Sequence, residues 1–398
     1  MNLPQIFATQ KLQCRPKLPI RLESASMTSF NEISQPNPPE PDKSADQADF
    51  TAVSHSTTKT NATRNSSPII ARVPAQRGSQ ALAMLLTGRS RDHLGNPIQD
   101  DSHVHTLASY KSLKLTHLWA VFEGDPEHAE MLASALVIPS AGSTAMTFVS
   151  PAGPNDEPAT HTKLLDHAIK QANAQLREQQ QPQIKLFQSL LEPDKLAHSD
   201  LFIKAGFSKL AHLVYMQRSL HVTEERTTTF ETTDAQQSTD HAATPNFPAG
   251  VTAITWHESK REVFEQAILA SYQDTADCPA LLGIRDIEDI IEGHMATGEF
   301  NPNLWFTLQH NNQPVAVLLL SPVLNNKALE VVYVGISKDW RNKGLGKTLM
   351  HYTCALGHQY HASQILLAVD EMNAPATKLY RSMNFLPNAR KLALIRSC

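Results

Sequence analysis

Leu329-Glu-Val-Val-Tyr-Val-Gly-Ile-Ser-Lys-Asp-Trp-Arg-Asn-Lys-Gly-Leu-Gly-Lys-Thr-Leu349 decides the fold. It opens as an apolar, β-branched strand through Val331, Val332, Val334 and Ile336. A polar turn runs from Ser337 to Asn342, and a helix follows with Leu345, Leu349, Tyr352 and Leu356 at three- and four-residue spacings. Strand, glycine-bearing turn and helix start together make a place for a phosphate. Gly344 and Gly346 allow close backbone approach, and the first N–H groups of a helix have no intrahelical acceptor. Arg341, Lys343 and Lys347 place positive charge around that opening, which suits a pyrophosphate.

Two phosphate-binding patterns compete. Gly346-Lys347-Thr348 imitates the end of a nucleotide P-loop, and Asp370-Glu371 at the end of an apolar strand imitates a magnesium-holding acid. A P-loop needs glycine five residues before Gly346, where this chain has Arg341, and the helix starts too close to the strand to wrap phosphates. The other pattern is Arg/Gln-x-x-Gly-x-Gly/Ala, which Arg341, Gly344 and Gly346 satisfy. Downstream, Asn373-Ala-Pro-Ala-Thr-Lys-Leu-Tyr-Arg-Ser-Met-Asn-Phe385 follows Asn-x-x-Ala-x-x-Leu-Tyr-x-x-x-Gly-Phe, with Asn384 in the glycine position. Asn is the non-glycine residue most at ease in the left-handed conformation that ends a helix. On these two blocks the chain resembles the GNAT superfamily of N-acetyltransferases.

The resemblance implies acetyl-CoA as co-substrate, no metal, and a small-molecule or peptide amine that attacks the acetyl thioester directly in a ternary complex. The implied cradle is Arg341, Asn342, Lys343, Gly344, Leu345, Gly346 and Lys347, with the strand edge at Val334, Gly335 and Ile336 for the pantetheine arm. Tyr380 is the candidate acid, since a phenol of ordinary pKa near ~10 can protonate a thiolate whose acid form sits near ~8.5. A core tyrosine packed on Leu379 and Phe385 is its other reading. Glu330, a carboxylate in an apolar strand, is either the candidate base or half of a salt bridge, and direct proton loss to water is a third route. Asn373 caps its helix and in this family also meets CoA.

Composition narrows the rest. The 398 residues allow two or three domains, and 41% hydrophobic content supplies real cores. A net charge of -4 gives no electrostatic case for nucleic acid. Four cysteines without ligand spacing fit a reducing compartment, and with no apolar run long enough for a bilayer the reading is a cytoplasmic protein without membrane contact. Cys354 has no histidine partner in sight and reads as core; His351, His358 and His361 lack the acidic or thiol company of a metal site. The oligomeric state is not readable.

Residues 1–68 read as a disordered tail, rich in Ser, Thr and Pro, as in Gln35-Pro-Asn-Pro-Pro-Glu-Pro41. Its basic start (Lys11, Arg15, Lys17, Arg21) faintly resembles a transit peptide; an unstructured tail or a later start at Met27 is preferred. From Ile69, alternating segments predict a helix at 81–86, strands at 118–122, 133–138 and 145–149, a helix over 160–179, and a strand at 184–187. Then Leu201-Phe202-Ile-Lys-Ala-Gly206-Phe207 repeats the layout of Leu379-Tyr380-Arg-Ser-Met-Asn384-Phe385, and a final strand follows each. The fold class is thus α/β of the α+β mixed-sheet kind. Two GNAT-like domains stand in tandem, each a mostly antiparallel mixed sheet flanked by helices.

The tandem layout resembles mycothiol-synthase-like acetyltransferases. The domains are 69–218, degenerate, and 249–398, competent, joined by a polar linker at 219–248. In the first, Asp156 and Glu157 stand where the second has bases, Pro151, Pro154 and Pro158 remove donors, and Phe202 replaces the tyrosine. The acceptor is placed between the two, along 273–303, where Asp274, Asp277, Asp286 and Glu288 are available to a cationic amine, although a solvated surface is their preferred reading. Two other functions compete: a catalytically inactive CoA-binding sensor or scaffold, and a nucleotide hydrolase.

Overall fold

The computed structural model describes residues 67–88, 115–220, 247–323 and 327–398. The tail up to residue 66, linker residues 221–246 and the turn at Asn325-Asn326 lie outside the described residues. The first half runs β1 (Ile69–Arg72), α1 (Gly78–Thr87), β2 (Leu118–Phe122), β3 (Met131–Ser140), β4 (Thr144–Val149), α2 (Pro158–Glu178), β5 (Leu186–Leu191), α3 (Leu196–Lys204) and β6 (Ser208–Ser219). The second runs β7 (Val251–Thr255), α4 (Arg261–Tyr272), α5 (Ile287–Met295), β8 (Trp305–His310), β9 (Gln313–Val323), β10 (Ala328–Ile336), α6 (Leu345–Gln359), β11 (Gln364–Asp370), α7 (Ala374–Ser382) and β12 (Leu386–Ser397).

Local chemistry explains the boundaries. Asn373 caps α7, its side chain accepting from Ala376 N–H at 3.3 Å. Asn384 ends that helix at φ 62° and Gly206 ends α3 at φ 88°, the left-handed stops the repeat predicts. After them Phe385 N–H returns to Tyr380 O and Phe207 N–H to Phe202 O, both at 3.0 Å. The strand predicted from Ile184 starts two residues later because the side chain of Asn173, on α2, takes both Ile184 N–H (2.9 Å) and Ile184 C=O (3.2 Å) out of the ladder. α5 starts at Ile287, behind Asp286, leaving Arg285 in the loop. Ser219 still belongs to β6, opposite Gln364, so the chain leaves the sheet later than composition suggests.

Among the described residues, the twelve strands form one sheet in the order β1-β2-β3-β4-β5-β12-β6-β11-β10-β9-β8-β7. Adding six to each first-half number and reversing the order returns the same list. The two parallel pairs, β4–β5 and β10–β11, also map onto each other. The repeat seen in sequence is therefore a repeat in topology, with the last strands exchanged: β6 lies between β11 and β12, and β12 between β5 and β6.

Helices cover both faces. Leu392 packs under α2 and α3, and Val214 and Met216 under α6 and α7. Leu392 stands opposite His212 across β6–β12, and His212 shares the face of Val214 and Met216, so these four helices lie on one side. On the other side α1 covers Leu118, Ala120 and Phe122, while α4 and α5 cover Trp305, Val317 and Leu319. The turn between β3 and β4 is pressed onto α5: a Cβ on Gly142 (φ 72°) would collide with Asp289 O and lie 2.9 Å from Gly293 N. Beside it, Lys185 bridges Asp286 at 2.5 Å and Asp289 at 2.7 Å, and Ser143 donates to Asp289 at 2.7 Å.

Candidate active site

β10 and β11 part company. Their parallel pairing holds from Ala328 to Glu330, opposite Gln364 to Leu366, while β10 stays on β9 out to Ile336. Ser337 N–H donates to Val315 O on the β9 side at 3.0 Å. By strand alternation Gly335 points the same way, and Val334 and Ile336 point into the gap. Ile336 C=O already accepts from Arg341 Nε at 3.0 Å. This leaves Val334 and the Ile336 N–H facing the gap.

Beyond the gap lies the start of α6. Asn342 (φ 59°) and Gly344 (φ 83°) turn the chain left-handed. Among the described residues, the N–H groups of Asn342, Lys343, Gly344, Leu345 and Gly346 have no backbone acceptor; the intrahelical series begins with Lys347 and Thr348 bonding Gly344 O at 3.0 and 3.2 Å. A Cβ on Gly344 would meet nothing within 4 Å, so this surface is open. Gly346 is different: its Cβ would stand 3.1 Å from Leu379, so it seats α6 against α7. Gly335 has no room either, because Ser271 of α4 lies against it. Leu345 is buried, and Lys347 is exposed. Lys343 lies over the Trp340 ring at 5.3 Å.

Arg341 does something the charge count does not suggest. Its Nη1 donates to Asp274 O (2.9 Å) and its Nη2 to Ser271 O (2.9 Å) and Gln273 O (2.7 Å). The guanidinium closes the C-terminal end of α4, where carbonyls lack intrahelical partners, and ties it to the loop before α6. Its side chain is spent on protein carbonyls, while Lys343 and Lys347 remain at the opening.

The segment after α4 roofs the gap. Asp277 is surface-exposed as a residue, yet its carboxyl turns inward: Oδ1 accepts from Asp370 N–H at 3.1 Å, and Asn373 also bonds it. Burial raises its pKa despite those bonds. Cys278 N–H returns to Asp370 Oδ2 at 3.3 Å. Tyr380, on α7, is 6% exposed and its ring lies 5.8 Å from Phe385. Burial first, and the charge of Asp277 second, push its phenol well above the ordinary value. Glu330 is half-buried at the paired end of β10, with Tyr215 of β6 within reach of its charge. The structure therefore gathers Tyr380, Asn373 and Asp277 at one place and sets Glu330 beside Tyr215. Of Asp274, Asp286 and Glu288, the first two are engaged by lysines, Asp274 by Lys338 at 2.6 Å.

Residues 270–385 match the Acetyltransferase (GNAT) family model. This part of the chain is thus similar to the GNAT family. A stretch of 60 residues is 42% identical to mycothiol acetyltransferase of Thermobifida fusca (strain YX), covering 14% of this chain and 17% of that protein's length. Among solved structures, a GCN5-related N-acetyltransferase from Sphaerobacter thermophilus is 17% identical with a TM-score of 0.49, covering 83% of this chain and 95% of that one. A tandem GNAT protein from the clavulanic acid biosynthesis pathway is 13% identical with a TM-score of 0.39, covering 83% and 98%.

The corresponding place in the first half has the same layout and different contents. β4 pairs with β5 only from Thr144 to Met146, and Ser150 N–H donates to Ser134 O at 2.9 Å, as Ser337 does to Val315. But α2 starts at Pro158 behind Glu157, and Asp156 Oδ2 takes the Gly153 N–H at 2.6 Å. His198 Nε2 fills the gap and donates to Val149 O at 2.8 Å. His161 lies 4.0 Å from Asp156, buried, with neither ring nitrogen hydrogen-bonded among the described residues.

Cys354 is buried in the α6 core, and burial raises its thiol pKa. Among the described residues no group of three His, Cys, Asp or Glu is placed to hold a metal, and no helix is long and apolar enough to cross a membrane. Sequence reading passed over Tyr272, Arg285 and Tyr333; the two tyrosines lie within electrostatic reach of Asp277, and Arg285 of Tyr272. Their only signal was position, in the irregular stretch between α4 and β8 and on the strand before the turn.

Proposed function

We propose that this protein is an acetyl-CoA-dependent N-acetyltransferase with one working site, built by 249–398, and a degenerate partner, 69–218. The observation that carries this is the parting of β10 from β11 directly above an open cradle of five free N–H groups. Pantetheine amides extend along the free edge at Val334 and Ile336, and the pyrophosphate meets the α6 N-terminus with Lys343 and Lys347 beside it. In the first half, Asp156 and Glu157 repel phosphate and His198 occupies the gap.

A neutral amine attacks the acetyl carbonyl; the C–N bond forms, the C–S bond breaks, and the thiolate leaves with a proton from Tyr380. Its raised pKa keeps the phenol protonated until the thiolate appears. The amine proton leaves to a carboxylate. Asp277 takes this role in our scheme because its charge reaches Tyr380, with Glu330 as the competing base.

Calorimetric titration with acetyl-CoA should give one site per chain, abolished by Gly344→Glu, and none for ATP–magnesium. Two sites would overturn the degenerate reading of the first half. Binding with no transfer to any amine would mark a sensor or scaffold instead. The base is read from the acidic limb of the kcat/KM profile, which Asp277→Asn should flatten; if Glu330→Gln flattens it, Glu330 is the base.

A further inference from the structure

The α4–α5 segment holds a cation with almost nothing to hold. Arg285 sits in the loop before α5, half-buried. Of its five N–H donors, one makes a single long contact, Nη1 to Gly142 O at 3.4 Å. Among the described residues no carboxylate lies within ion-pair distance of it. The obvious partner, Asp289, is committed to Lys185 and Ser143 at 2.7 Å each. The guanidinium lies against α5 at Gly293, where a Cβ would stand 3.2 Å from Nη1, so glycine leaves it room there. Leaving a largely desolvated guanidinium unpaired is costly, and proteins seldom do so without a ligand to complete it.

The walls around it are aromatic and uncharged. Tyr272 and Tyr333 meet edge to face at 6.0 Å, and His294 stacks on Tyr333 at 5.3 Å. Tyr333 donates to or accepts from Ser271 Oγ at 2.7 Å, which fixes its ring. His294 is half-buried and desolvation lowers its pKa to about 4, so near neutral pH it neither competes with Arg285 for an anion nor adds a second cation. Beyond Tyr272 stands the opposite sign, Asp277, anchored on Asp370 N–H. Tyr272 lies within electrostatic reach of both Arg285 and Asp277.

Resting on the acetyltransferase reading above, we propose that the acceptor is an amine bearing a carboxylate, which Arg285 binds while the amino group faces Asp277 and Tyr380. A carboxylate matches the guanidinium fork with two parallel hydrogen bonds. The pole at Asp277 then selects the amine end of the same molecule and orients it toward the thioester. Arg285 is a specificity residue here, with no part in bond making.

The test uses the full chain and ligand-observed NMR, with and without CoA. The probes are N-acetyl derivatives of the common amino acids, each paired with its N-acetylamino acid amide, which lacks the negative charge. Carboxylate probes should bind and their amides should not. Arg285→Met should weaken the carboxylates at least tenfold and Arg285→Lys less, with acetyl-CoA affinity the same in all three proteins. If Arg285→Met fails to fold, Arg285→Lys and Arg285→Gln decide, the second being the weaker binder. Equal binding of amides overturns the proposal, as does carboxylate binding that survives loss of Arg285. So does a chain that binds CoA but no carboxylate probe. Failure to bind acetyl-CoA would sink the acetyltransferase reading alone, because Arg285-dependent carboxylate binding is measured without CoA as well.

Discussion

Two neighbouring glycines, Gly335 and Gly344, show how differently the same residue type is used. Gly335 is glycine because Ser271 lies against it, so Gly335→Ala overpacks the α4–β10 contact and should cost about 1–3 kcal/mol in urea unfolding. Gly344 faces open space at φ 83°, so Gly344→Ala should cost about 1–2 kcal/mol from backbone strain alone. The same scale applies at Asn384, where Asn384→Val should lose about 1–2 kcal/mol and Asn384→Gly should be neutral or better. Tyr380→Phe removes the proposed proton donor and leaves the ring in its core. It should lower kcat by about a hundredfold or more, with acetyl-CoA affinity unchanged. An unchanged kcat would return Tyr380 to the role of core residue.

At the scale of elements, Arg341 joins two that are distant in sequence. Its guanidinium gathers three carbonyls from the end of α4 and one from β10. Arg341→Lys keeps the charge but loses the fork, so it should fail to restore what Arg341→Ala removes, about 1.5–3 kcal/mol by denaturation. Acetyl-CoA binding should weaken in parallel, since the loop before α6 loses its tether. This function of Arg341 was invisible in the sequence, where a basic residue beside glycines reads as a phosphate ligand. What was legible was local. The strand–turn–helix, the left-handed stops at Gly206 and Asn384 and the Asn373 cap are each written within a few residues. The late start of β5 was not, because Asn173 reaches Ile184 from another element. Asp277, Tyr272 and Arg285 were no more legible as a site: their meaning comes from Asp370, Tyr380 and Gly142, brought to them by the fold.

For the whole molecule, buried histidines set a direction for pH. Burial depresses the pKa of His117, His161, His167 and His198, and that of His294 falls to about 4. Below about pH 6.5 the unfolded chain takes up protons that the folded one refuses, so stability is full above that pH and falls toward pH 4. His294 alone accounts for about 3 kcal/mol over this window, and Asp277, raised by burial, opposes it in part. Urea midpoints measured from pH 7.5 to 4.5 should decline steadily, and His294→Phe should flatten the slope. The exchanged strands bear on the molecule as a unit too. Residues 249–398 alone would leave β11 and β12 without β6 between them, so this segment should aggregate or dimerise by borrowing a strand, as sedimentation would report.

That exchange also imposes an order on synthesis. The first half leaves the ribosome with β5 and β6 made but with the slot between them empty, because β12 follows every other strand in sequence. The second half cannot close without β6, which is already waiting with a free edge. Completion of both halves is thus deferred to a single event, the emergence of β12. A premature stop anywhere before Leu386 would leave every finished part of the sheet open at its centre.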